Sequence, residues 1–228
     1  MTVALHLKGV SHTYTAVDLA PRTVLNIADW CLNAGEFALL RGVSGSGKTT
    51  LMNVIAGLLQ PSQGAVAVEG QSVYELSEAA RDRFRATHIG YVFQTHNLLP
   101  YSALDNVEMP LAFLGESGRT RREKARAMLN QVGLSGYEKH RPQQLSSGQR
   151  LRVAIARALV AKPSLLLADE PTAALDPDNG AQIIELITQT CRSVGAALLV
   201  ASHDPRLSSY FQRVVDLKDQ QLREVQAI

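Results

Sequence analysis

Only two cysteines, Cys31 and Cys191, occur in 228 residues. That is too few for a disulfide framework and fits a reducing compartment. Long hydrophobic runs are missing: the longest, Gly195 to Ala201, has seven residues, against the roughly 18 that a membrane-spanning helix needs. A signal-peptide pattern is missing too, since His6 and Lys8 interrupt the first apolar stretch. Nor does charge of one sign dominate. The 23 Lys and Arg against 21 Asp and Glu leave +2, whereas a dedicated nucleic-acid binder would carry a concentrated basic surface. No nucleic-acid partner is expected. What is present is apolar content of 46%, enough for a sizeable core and too much for a disordered chain. The expectation is a cytosolic, soluble α/β chain that acts at a membrane only through a partner.

The first 40 residues alternate short apolar runs with turn residues: Val3 to Leu7, Val24 to Ile27, Phe37 to Leu40. This predicts a β-rich start. Thr49 to Leu59 suits a helix stopped by Pro61, with a strand at Ala65 to Val68. Thr120 and Glu123 have capping-box spacing ahead of the stripe Ala125, Met128, Leu129 and Val132. A further helix is predicted from Gln149 to Val160, then a strand Leu165 to Ala168, a helix Asp178 to Val194 and a strand Ala196 to Ala201. Alternating strands and helices imply a parallel sheet covered on its faces. The mostly helical stretch Pro100 to Ala161 reads as a lobe set into that framework.

The strongest chemical signal is Gly42-Val43-Ser44-Gly45-Ser46-Gly47-Lys48-Thr49, between a predicted strand and a helix starting near Thr50. It fits the phosphate-loop pattern rather than a mere glycine-rich turn. Glycines let backbone N–H groups point inward, and the helix that follows offers its positive end to phosphate. Lys48 suits the β- and γ-phosphates and the Thr49 hydroxyl suits magnesium. The buried-strand pattern Leu165-Leu166-Leu167-Ala168 ends in Asp169-Glu170. Alone this could be a strand-end turn. Paired with the phosphate loop, Asp169 would hold magnesium through water and Glu170 would polarise the attacking water. A third strand ends at Ser202-His203-Asp204, and the run Tyr91-Val92-Phe93 ends at Gln94, a side chain suited to magnesium or the water. If these strands are neighbours, Gly42, Gln94, Asp169 and His203 converge at one edge.

Leu145-Ser146-Ser147-Gly148-Gln149, between Gln94 and the acidic pair, resembles the signature motif of ATP-binding-cassette ATPases. The motifs match that family in order and spacing over nearly the whole chain. The resemblance implies an α/β fold: a P-loop NTPase (RecA-like) parallel-sheet core with an N-terminal antiparallel β subdomain and an inserted α-helical subdomain. The chain would be a single domain, with 1–95 and 162–228 as nucleotide-binding core and β subdomain and 96–161 as the helical signature subdomain. It also implies ATP and Mg2+ as cofactors and two cassettes closing head-to-tail around two ATP molecules. Lys48, Gln94, Glu170 and His203 then become catalytic, and Thr49, Gln94 and Asp169 contact metal. The nucleotide is held by Gly42, Val43, Ser44, Gly45, Ser46, Gly47, Lys48, Thr49 and Thr50, and across the interface by Ser146, Ser147, Gly148 and Gln149. Ala174-Leu175-Asp176 resembles the aspartate loop linking the two sites. Tyr14 fits the aromatic that stacks on adenine, or equally a strand core residue.

Ser147 stands where the family usually has glycine, Thr49 where serine is commoner, and Ala173 where glycine is frequent. Phe93 to Pro100 with Asp105-Asn106-Val107 looks most like the subgroup serving lipoprotein release, macrolide efflux and cell-division complexes. The implied function is the ATP-hydrolysing subunit of a bacterial ABC transporter. It would be a homodimer, peripheral on the cytoplasmic face of the inner membrane and bound to transmembrane permease subunits. The alternatives are a nucleotide-dependent scaffold with little turnover, suggested by Ser147, or a non-transport cassette. The apolar Leu98, Leu99, Tyr101, Leu104 and Met109 form either plain helix packing or a groove for a helix of the membrane subunit. Arg119, Arg121, Arg122, Lys124 and Arg126 form a solvated helix face or a contact for anionic lipid. His12, His88, His96 and His140 show no metal spacing and receive no role.

Overall fold

The computed structural model describes residues 2–15, 20–173 and 175–225. Strand β1 (Val3–Tyr14) lies between β2 (Arg22–Asn33) and β4 (Gln63–Val68), antiparallel to both, with the short β5 (Gln71–Ser72) at the edge. Alternate side chains of this sheet, including Leu5, Leu7, Leu25, Ile27 and Leu32, are buried, as the period of two requires.

The second sheet carries the order β10-β9-β3-β8-β7-β6. Its members are β3 (Phe37–Arg41), β6 (Ile89–Val92), β7 (Leu165–Asp169), β8 (Ala197–Ser202), β9 (Arg213–Lys218) and β10 (Gln221–Val225). All pairs are parallel except β9–β10. Every residue of β7 and β8 is buried, because helices or the first sheet cover both faces. Leu165 and Leu167 face a core shared with the antiparallel sheet and α1 (Lys48–Ile55). Leu166 and Ala168 face a second core built with α3 (Ala103–Phe113), α4 (Gly118–Gln131), α5 (Ser147–Leu159) and α6 (Pro177–Val194). Helices α3, α4 and α5 thus share one core with the sheet rather than enclosing one of their own. Together these features are the α/β P-loop NTPase fold expected, with its parallel sheet, antiparallel β subdomain and helical insertion.

Several boundaries differ from expectation. The first helix ends at Ile55, not Leu59, because Gly57 takes a left-handed φ of 70° ahead of Pro61. The cap of α4 is Ser117, whose hydroxyl accepts from the Thr120 N–H. Thr120 is therefore three residues inside the cap, and Glu123 pairs with Arg119 at 3.0 Å instead. Nothing in the sequence pattern announces helix α2 (Glu78–His88); it buries no residue fully, so it lacks an apolar stripe. The β9–β10 hairpin is equally silent, since its turn residues Asp219 and Gln220 adopt left-handed φ values of 51° and 69° without the usual glycine or asparagine.

The basic run lies on α4 as a paired, solvated face. Lys124 meets Glu116 at 2.7 Å, and Arg121 and Arg122 flank Glu108 at 3.6 and 3.7 Å. The apolar stretch before it divides its labour. Leu98 and Leu104 pack on the core, Leu99 and Tyr101 are exposed, and Met109 lines a surface groove.

Candidate active site

The register sets the strand ends level. Arg41 pairs with Ser202, Asp169 with Ala201, and Val92 with Ala168. The residues that step off these ends, Gly42, His203, Glu170 and then Gln94, meet at one edge of the sheet, as parallel sheets arrange their ligand sites.

Gly42 to Gly47 loops from β3 to α1. Gly47 occupies a left-handed φ of 105°, and a Cβ there would lie 3.0 Å from the Val24 carbonyl. Only glycine fits such a turn without strain. Helix α1 has no side-chain cap and no acidic residue in its first turn. By contrast α2, α3, α4, α5 and α6 are capped by Ser77, Ser102, Ser117, Ser146 and Asp176. The N–H groups of α1 are left for an anion.

A cavity of about 700 Å³ gathers Tyr14, Arg22, Val24, Ser44, Gly45, Gly47, Lys48, Thr49, Thr50, Gln94, Glu170 and His203. Lys48 is buried; its Nζ donates to the Gly42 carbonyl at 2.7 Å and lies 3.3 Å from Glu170 Oε1. Glu170 Oε2 accepts from His203 Nδ1 at 2.9 Å and from the Ser202 hydroxyl at 3.3 Å. A carboxylate only accepts, so the Nδ1–H tautomer of His203 is set and its Nε2 is left for another partner. Glu170 has a left-handed φ of 48°, which for a non-glycine stores about 1 kcal/mol or more. The bend turns its side chain off the strand while its N–H still bonds the Ala201 carbonyl at 2.8 Å.

Asp169 lies beneath this cavity, 3% exposed, with Oδ1 lacking a hydrogen-bond partner. Burial pushes its carboxyl above the ordinary value and the neighbouring Glu170 charge adds to this; the Thr49 hydroxyl and Lys48 pull the other way. An orphaned carboxylate oxygen beside a hydroxyl is a fitting pair of hard ligands for Mg2+. No group of three His, Cys, Asp or Glu among the described residues could hold a metal alone. A cation here needs further oxygens from phosphate and water.

Not every expected residue joins this cavity. Gly42, Val43 and Ser46 line a larger, adjoining one of about 1010 Å³, shared with His203 and β9. Tyr14 is not core: it is 46% exposed, and its hydroxyl is 3.1 Å from that of Thr50. Ser146 and Gln149 form a capping box, with the Ser146 N–H donating to Gln149 Oε1 at 2.9 Å. Ser147 instead lines an adjoining cavity of about 410 Å³ with His96, Gln94 and Glu170. Asp176 caps α6 through Asn179, whose amide holds its carboxyl below the ordinary range; Ala174 lies outside the described residues. Arg22, Val24 and Ser202 join the site without any sequence expectation. Only the adjacency of Ser202 to His203 could have signalled one of them. His96 is held below the usual histidine range by burial and by Arg150 and Arg157.

The geometry has counterparts in known proteins. A family model described as ABC transporter matches residues 25–173. The chain is 44% identical over 216 residues to lipoprotein-releasing system ATP-binding protein LolD 2 of Caulobacter vibrioides, covering 94% of each. It is 40% identical over 220 residues to macrolide export ATP-binding/permease protein MacB of Escherichia coli, covering 96% of this chain but only 34% of that larger protein. Among solved structures, the ATP-binding cassette MJ0796, dimeric in a post-hydrolysis state with ADP and Pi, superposes with TM-score 0.87 at 37% identity. That match covers 98% of this chain and 99% of the other. With its phosphate loop and acidic pair set at one sheet edge, this chain belongs to the ABC transporter family as an ATP-hydrolysing cassette.

Proposed function

We propose that this chain is the ATP-driven subunit of a bacterial system for lipoprotein release or export, working as a pair of cassettes on a separate membrane subunit at the cytoplasmic face. The observation that carries the reading is the Glu170 carboxylate, held between Lys48 and His203 at the mouth of the phosphate loop. Lys48 and the amides of the loop bind the β- and γ-phosphates, with Tyr14 against the base and Thr50 beside it. Thr49, Asp169 and Gln94 hold Mg2+, which when bound neutralises charge on the phosphate oxygens. Glu170 orients and polarises the attacking water. His203, with Nδ1–H committed to Glu170, can donate Nε2–H to the γ-phosphate only when the ring carries both protons.

The second cassette enters through the signature loop. Ser147 is the first residue of α5 and has no positive φ, so its departure from glycine brings no strain. That removes backbone strain as a ground for a scaffold with little turnover. A Cβ on Gly148 would meet nothing within 4 Å. Its own chain does not need that glycine, and an approaching phosphate on the facing cassette supplies a reason. Asp176, the cap of α6, then belongs to the loop connecting the two sites.

The membrane subunit has a groove to occupy. A groove of about 420 Å³ between α2, β6 and α3 presents Phe93, Met109, Pro110 and Phe113, the last 60% exposed, suited to the apolar face of a short helix. No described helix is long and apolar enough to cross a membrane.

Glu170→Gln tests the core of this reading. Turnover is expected to fall by at least about a hundredfold, the usual scale for a lost general base, while gel filtration with ATP shows a stable dimer. Hydrolysis at the wild-type rate would remove Glu170 from its role.

A further inference from the structure

Arg157 lies on α5, ten residues beyond Ser147 and half-buried. Its guanidinium meets no carboxylate among the described residues. It donates instead to two successive backbone carbonyls, from Nη2 to His96 at 2.7 Å and from Nη1 to Asn97 at 2.6 Å. Both residues hold left-handed φ values, 61° and 46°, a region that non-glycine residues enter at a cost. They follow Gln94 by two and three positions. The turn is closed on itself by the His96 N–H to the Phe93 carbonyl at 2.9 Å and the Thr95 hydroxyl to Asn97 Oδ1 at 2.7 Å.

The next residue of α5 makes a second attachment. A Cβ on Gly90 of β6 would lie 2.4 Å from the Ala158 carbonyl oxygen, so helix and strand backbones touch. The strand leading to Gln94 and the turn leaving it are thus both fastened to α5, at neighbouring positions. A residue needed only for packing there would be apolar. A planar fork of donors placed on two carbonyls fixes their directions as well as their distance.

We infer that Arg157 is a positioning residue for Gln94, locking the turn after it to the helix that begins with the signature loop. The inference rests on the proposed role of Gln94 at the metal and water. It has a mechanical corollary. Arg157 and Asn97 both line the apolar groove, and Gln94 and Ser147 both line the 410 Å³ cavity. A helix pressed into the groove would therefore bear on the turn that positions Gln94.

A double-mutant cycle on the purified chain tests this, with kcat, KM for ATP and the half-saturating Mg2+ concentration measured for Arg157→Met, Arg157→Lys, Gln94→Ala and the combinations. Arg157→Met is expected to lower kcat about tenfold, the scale of a displaced catalytic group, and to raise the Mg2+ requirement. KM for ATP should stay within about twofold, because Lys48 and Tyr14 sit on other elements. In the Gln94→Ala background the same change should add little. Arg157→Lys keeps one donating nitrogen in place of the fork and should recover part of kcat; if Arg157→Met does not fold, the cycle with Arg157→Lys decides. Equal losses in both backgrounds, or no loss at all, would overturn the inference and leave the reading of Gln94 standing. If Gln94→Ala alone changes neither kcat nor the Mg2+ requirement, that reading fails and the inference with it.

Discussion

Gly148→Ala separates what the fold needs from what the site needs. Gly148 is the second residue of α5, after the Ser146 cap, with no positive φ, and a Cβ added to it would find no atom of its own chain within 4 Å. Glycine within a helix costs about 0.5–1 kcal/mol relative to alanine, and the lower value suits a first-turn position. For a domain of this size one kcal/mol corresponds to about 2–4 °C in Tm, so the variant should melt about 1–2 °C higher. Turnover should move the opposite way. A methyl placed where a phosphate of the facing cassette must come within hydrogen-bonding distance of the helix N–H groups holds that phosphate away. A misplacement of about 1 Å can cost a hundredfold. Calorimetry and steady-state phosphate release on the same preparation give the answer. Wild-type turnover with the raised Tm would mean that nothing approaches Gly148. A lowered Tm would refute the reading of its own surroundings.

Gly90→Ala should do the reverse, forcing β6 and α5 apart against a backbone carbonyl that cannot yield. Overpacking of this kind costs about 1–3 kcal/mol, seen as a Tm lower by roughly 2–12 °C; an unchanged Tm would contradict the close approach. Asn106 is fully buried and bonds the Leu99 N–H and the carbonyls of Leu99, Tyr101 and Ser102. Asn106→Ala leaves the Leu99 N–H and the Tyr101 carbonyl unpaired, while the Leu99 and Ser102 carbonyls keep backbone donors, at about 2–4 kcal/mol, and hydrogen exchange of the 99–102 turn should accelerate far more than that of β7. Uniform acceleration would show that the residue does not act locally.

How much is legible from sequence follows how locally each signal is written. Lys48, Thr49, Asp169, Glu170 and His203 stand out because buried parallel strands are short apolar runs whose ends carry the chemistry, and the strand order then sets those ends level. The sequence leaves two readings of Tyr14 because its neighbour in space, Thr50, is 36 residues away, and no period reports on that. Helix α2 gives no signal since it lies on the surface with no apolar stripe. The hairpin at Asp219 and Gln220 is hidden because tertiary pairing of β9 with β3 enforces a turn that its residues do not advertise. Arg157 is invisible for a different reason: a cation aimed at backbone carbonyls leaves no partner residue type to look for.

The alternation along β7 reaches beyond stability. Leu166 looks toward the helices and Leu167 toward the phosphate-gripping side, so adjacent letters of the chain belong to different neighbourhoods. Drift at one letter can reshape the helical layer while the next letter keeps the combustion chamber unaltered.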